Sequence, residues 1–205
     1  IRTNGKIAIL LRENDELVNV LKSDGQSEII IGSSKGMAVR FNEQDLRVMG
    51  RNSSGVKGIN VASSYVIGSI VAKKDEDSQM LVVSENGYGK KTRVSDYRLS
   101  RRGGKGVRTL KLTEKTGNLI SLNAISGDED AMMITNSGML IRISLETIST
   151  YSRNTQGVKL INLKDNQKVA TVALVAKQEE NDVVNQETSV VASSEEQSTD
   201  NQTNE

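Results

Sequence analysis

The chain has 205 residues, 36% of them apolar, with 27 Lys or Arg against 26 Asp or Glu, so it is long enough and apolar enough for a buried core. It contains no Cys, His, Trp or Pro, one Phe and four Tyr. Those absences exclude disulfides, thiolate and imidazole metal sites, Cys nucleophiles and His-based triads; carboxylate or Lys chemistry, oxygen-bound Mg²⁺ or Ca²⁺, or no chemistry at all remain.

The chain opens on Ile1 without an initiator Met, and its charged start, IRTNGKIAIL, lacks the apolar run of a signal peptide. It reads as an excised piece of a longer cytoplasmic protein. The longest uncharged run, Gly58 to Ala72, is interrupted by polar residues and too short to span a bilayer, so no membrane is expected. The first elements, GKIAILL (residues 5–11) and ELVNVL (16–21), are predicted to be the third and fourth strands of a unit whose beginning is missing.

From residue 29 a repeat of 51 residues takes over. IIIGSSKGMAVRF, LVVSENGYGKKT and MMITNSGMLIRI align without gaps on Gly36, Gly87 and Gly138 and on the basic positions Arg40, Lys91 and Arg142. Each predicts strand, two-residue turn and strand, the Gly supplying the positive φ such a turn needs. RNSSGVKGINV, RGGKGVRTLKL and RNTQGVKLINL follow at the same offset, aligning Arg51, Arg102 and Arg153, then Gly55, Gly106 and Gly157, then Lys57, Arg108 and Lys159. Each GV pair starts a third predicted strand, and the runs Tyr65–Ala72, Leu119–Ile125 and Lys168–Ala176 supply a fourth. No window carries a 3.6-residue stripe. About four units of four antiparallel strands predict an all-β, propeller-like disc, in which Ile, Leu, Val and Met fill the space between blades.

After Lys177 the composition turns to Glu, Asn, Gln, Ser and Thr, too polar to offset ordering entropy. Residues 179–205 are therefore expected to be a disordered acidic tail behind a domain of residues 1–178. The tail holds eight acids and no Lys or Arg, which leaves 27 basic against 18 acidic residues in the first 178, a net of +9. A basic body suits a polyanionic partner, and an acidic appendage can compete for the same surface.

The middle repeat concentrates that charge. KKTRVSDYRLSRRGGKGVRTLK, residues 90–111, holds Lys90, Lys91, Arg93, Arg98, Arg101, Arg102, Lys105, Arg108 and Lys111 against the single acid Asp96. At its centre Gly103 and Gly104 would bare backbone amides to a phosphate, with Arg101, Arg102 and Lys105 around it. The order is not that of a nucleotide-binding P-loop and no helix follows. Basic residues recurring in the other units, Arg40, Arg47, Arg51, Lys57, Arg142, Arg153 and Lys159, would extend the patch into a stripe. Duplex suits it better than single strands, since Tyr88, Tyr97 and Tyr151 are too few for stacking platforms and are expected in or near the core. With no recognition helix, contacts would be dominated by phosphates.

SRRGGKG, residues 100–106, resembles the gyrase box, usually QRRGGKG. ENGYGKKT, EQDLRVMGRNSSGVKGI and RNTQGVKLINL likewise resemble blades of the C-terminal DNA-wrapping domain of DNA gyrase A. The resemblance covers residues 1 to about 176. It implies a β-pinwheel that bends double-stranded DNA around a basic perimeter, so that a type II topoisomerase can introduce negative supercoils using ATP. It also implies partnership with the rest of gyrase A and with gyrase B in a heterotetramer. The family's catalytic tyrosine, acidic metal cluster and ATPase site map onto no residue here, so ATP and Mg²⁺ are expected elsewhere in the parent. Arg101, Arg102, Gly103, Gly104, Lys105 and Gly106 match the box, while Ser100 replaces its Gln. Because one further unit follows, the copy looks like a degenerate box of a late blade. The alternatives are the C-terminal domain of topoisomerase IV, a propeller scaffold for protein partners, and a carboxylate-metal hydrolase, for which GDED (Gly127 to Asp130) lacks an EF-hand's spacing.

Overall fold

A computed structural model describes residues 5–73, 77–164 and 166–177. The chain divides into a compact unit, Ile1–Val175, and a second unit, Ala176–Glu205, of which only Ala176 and Lys177 are described. The expected disorder of 179–205 lies outside the described residues.

The architecture is all-β. Strands β1 (Glu28–Ser33), β2 (Met37–Asn42) and β3 (Val66–Ala72) belong to the first unit; β4 (Gln79–Ser84), β5 (Tyr88–Arg93), β6 (Val107–Arg108) and β7 (Leu119–Ile125) belong to the second. The third unit has β8 (Glu129–Thr135), β9 (Leu140–Ser144), β10 (Val158–Lys159) and β11 (Val169–Ala176). Among the described residues the helical elements are 3₁₀ turns of three residues, each directly after a hairpin.

The sheets run β3-β1-β2-β6, β10-β5-β4-β7 and β11-β8-β9. Each GV strand therefore leaves its own unit and pairs with the hairpin of the unit before it: Met37 faces Arg108, and Gly89 faces Val158. This revises the expectation that a unit's four strands form one sheet. It also accounts for residues 5–27, where the two predicted strands are not formed. By the same rule GKIAILL would add to a hairpin ahead of it, and none lies ahead in the described residues; Ile7, Leu11, Leu17 and Val20 are exposed.

The hairpin turns also differ from the two-residue form. Gly36, Gly87 and Gly138 each donate N–H to the residue three back, Ser33, Ser84 and Thr135. Gly36 thus closes a three-residue loop with φ of +70°, the pattern in which a turn is followed by a left-handed residue.

Alternation along β4 explains the core. Met80 and Val82 face the first sheet, joining Ile30, Ile70, Leu110 and Leu119. Leu81 and Val83 face the third, joining Ala131, Met133, Ile148 and Ile161. Strand β4 is sandwiched between blades, which is why its middle four residues, Met80 to Val83, are an unbroken apolar run. Strands β3 and β7 pack against each other, and each lies at the opposite edge of its sheet from β6 or β10.

Candidate nucleic-acid interface

The exchanged strands carry the cations outward. Arg108 on β6 and Lys159 on β10 are exposed edge residues. The loop leading into each strand folds back over the preceding unit. Ser100 donates its N–H to Arg40 O at 2.9 Å, and Asn60 donates to Gly104 O at 2.8 Å. Gly106, at φ +75°, lies so close to the Ala38 carbonyl that a Cβ would collide with it, so glycine is required there on two counts.

These loops set basic residues of consecutive units side by side. The Arg102 guanidinium donates to the Lys57 carbonyl at 3.1 Å. One unit later, Arg153 donates to the Arg108 carbonyl at 3.3 Å, and Arg108 donates to Asn154 Oδ1 at 3.1 Å. Lys57, Arg102, Arg108, Arg153 and Lys159 thus follow one another along the blade edges, with Arg101 and Lys105 exposed beside them on the box loop. Arg47, Arg51, Arg93 and Arg98 are exposed, and Arg98 adjoins Leu99, which bridges Arg40 on β2. Lys91 is half-buried on β5.

Three predicted cations serve the fold instead. Arg40 pairs with the buried Glu28 and donates to the carbonyls of Val94 at 3.0 Å and Tyr97 at 2.8 Å. Arg142 repeats the pairing with Asp130 at 2.7 Å. Lys90 is 0% exposed. Its ammonium donates to the carbonyls of Ser152 at 2.7 Å, Arg153 at 2.8 Å and Thr155 at 3.1 Å, and to the Thr155 hydroxyl at 3.1 Å. Burial pulls it down to about 8 from the usual lysine value, against the opposing attraction of Asp96. The aligned positions held the clue, because Val39 and Ile141 occupy Lys90's place in the other hairpins.

The glycine pair works differently from the expectation that both amides face a ligand. Gly103 turns its N–H inward onto Gly58 O and Gly104 gives its carbonyl to Asn60, while Gly104 itself is exposed. Of the tyrosines expected near the core, Tyr97 is fully buried, bonded to the Thr109 hydroxyl, and burial pushes its phenol up to about 12. Tyr88 is half-buried, whereas Tyr151, at 38% exposed, lies at the surface against that expectation; Tyr65, outside it, is 62% exposed. Among the described residues no group of three or more acidic side chains could hold a metal ion, and no helix is long and apolar enough to cross a membrane.

Serial blades that trade edge strands and bear cations on those edges define a propeller-like domain of the pinwheel class. The chain belongs to the family described as DNA gyrase C-terminal domain, beta-propeller, whose matches cover residues 1–24, 27–67, 78–126 and 129–176. It is 46% identical over 196 residues to the DNA gyrase A protein of Staphylococcus aureus, covering 95% of this chain and 22% of that protein. The likeness to the DNA gyrase A protein of Staphylococcus epidermidis is 46% over 182 residues, covering 88% of this chain and 20% of that one. The chain thus spans about a fifth of the length of these relatives. Among solved structures it resembles a DNA gyrase A C-terminal domain with TM-score 0.70 at 26% identity, over 83% of this chain and 58% of the other. A DNA topoisomerase IV C-terminal domain superposes with TM-score 0.77 at 20% identity, over 90% of this chain and 57% of that chain, a likeness of fold alone.

Proposed function

We propose that this domain binds duplex DNA along its blade edges and bends it, so that a gyrase-type topoisomerase containing it introduces negative supercoils using ATP. The observation that carries the reading is the pair of inter-unit ties, Arg102 to Lys57 and Arg153 to Arg108, which join cations of successive units into one track. A duplex has a persistence length of about 150 base pairs, and tight bending costs several kcal/mol. Only many phosphate contacts spread along a curved path offset that cost. Arg51, Lys57, Arg101, Arg102, Lys105, Arg108, Arg153 and Lys159 are the residues we assign to phosphates, with Arg47, Lys91, Arg93 and Arg98 flanking them. Gyrase B and the rest of gyrase A are the partners of this reading, in the cytoplasm. ATP and Mg²⁺ use belongs, on this reading, to the remainder of the parent.

The test is duplex affinity by fluorescence anisotropy against salt. Affinity falling steeply between about 50 and 200 mM salt is expected; a flat response contradicts the reading. The topoisomerase IV alternative rests on the shared fold, whereas RRGGKG at 101–106 favours gyrase.

A further inference from the structure

The loop Ser152–Gly157 is the third unit's counterpart of the box loop, and a different residue lies beneath it. Under the box loop the inward position is the apolar Val39, and Gly103 donates its N–H to the Gly58 carbonyl of the preceding unit. Under the third loop that position is Lys90, whose buried ammonium gathers the carbonyls of Ser152, Arg153 and Thr155. No peptide bond here is cis. In a planar trans peptide, a carbonyl directed at Lys90 sets the following N–H in the opposite direction. The N–H groups of Arg153, Asn154 and Gln156 therefore point away from the ammonium. Asn154 and Gln156 are exposed, and none of the three N–H groups donates to an acceptor among the described residues. Arg108 reaches this loop through its bond to Asn154, and Lys159 is exposed two residues beyond Gly157.

We propose that Ser152–Gly157 is a backbone phosphate site, in which the amides of Arg153, Asn154 and Gln156 hold the oxygens of one phosphodiester of the duplex, flanked by Arg108 and Lys159. Lys90 is its positioning residue: it touches no DNA, but by drawing the carbonyls inward it turns the amides outward into a concavity suited to an anion. The site rests on the DNA-binding reading above and adds to it a contact made by main chain. It also gives Lys90 a reason to be a lysine where both sibling units place an aliphatic residue.

The experiment is a ¹⁵N NMR titration of the chain with a short duplex at low salt, repeated on Lys90→Met. The site predicts that the amide signals of Arg153, Asn154 and Gln156 shift together with those of Arg108 and Lys159 and return as salt is raised. Lys90→Met should then weaken duplex binding by about tenfold, the worth of one charge-assisted hydrogen bond, while unfolding stays cooperative. Shifts at Arg108 and Lys159 without shifts at the three loop amides overturn the site and leave the DNA-binding reading standing. No shift anywhere overturns both. Shifting loop amides with unchanged affinity in a folded Lys90→Met chain overturn the role given to Lys90. If that variant does not fold, the titration of the unaltered chain decides alone.

Discussion

Arg40 and Lys159 are both cations at aligned positions, yet they carry opposite expectations. Arg40→Met leaves Glu28, 4% exposed, as a buried charge without its partner, a loss of about 3–5 kcal/mol. Chemical denaturation should show that loss, and the salt dependence of DNA binding should stay unaltered in whatever remains folded. Lys159→Gln, on an exposed edge, should leave stability within about 0.5 kcal/mol. It should also make the slope of log affinity against log salt shallower by about 0.9. Lys90 supplies a pH test. Its folded value of about 8 lies below the 10.5 it has when free, so between the two the unfolded chain binds more protons and stability rises with pH. The stability difference between the unaltered chain and Lys90→Met should move in favour of the unaltered chain from about pH 8 to about pH 10. The Tyr97 phenol, raised by burial, opposes this only above its ordinary range and in both chains alike. An unchanging difference would mean that Lys90 is not desolvated. Lys90 could be recognised as inward-facing only by setting it against Val39 and Ile141; within KKT it looks like one more surface cation.

At the scale of strands, the repeat reveals every hairpin but not the exchange. A strand that stays in its own sheet and one that crosses to the previous sheet both recur at the same spacing, so periodicity cannot tell them apart. What separates them is the loop path, which depends on contacts such as Gly106 against Ala38 that no single unit encodes alone. The exchange is directly testable by hydrogen exchange. Thr109 donates to Gly36 O and Leu160 to Gly87 O, both at 2.8 Å, so these amides should exchange as slowly as those of β1 and β4. Rapid exchange at Thr109 and Leu160 beside slow hairpins would mean that the crossover strands are not integral to the blades. The turn glycines were legible for a simpler reason: apolar β-formers flank each one, and φ at Gly36, Gly87 and Gly138 is positive in all three copies.

For the whole molecule, the basic body and the acidic tail were legible from charge counting, and the family from the box. The path of the cations was not, since it depends on loops from one unit lying over the unit before it. Residues 179–205 lie outside the described residues, and their expected effect follows from charge alone. Deleting them should tighten duplex binding at low salt and lose that effect as salt rises. Equal affinity with and without the tail would show that it does not compete for DNA.

The most direct measurement is end-to-end energy transfer across a duplex bound to the chain. Lys57→Gln, Lys105→Gln, Arg108→Gln and Lys159→Gln should be combined in one variant and compared with Lys22→Gln and Lys164→Gln, which belong to none of the aligned series. If the duplex follows the blade edges, the unaltered chain and the comparison variant bring its ends together and the edge variant does not, at protein concentrations adjusted for equal occupancy. Equal bending by all three would contradict a DNA track running along the exchanged strands.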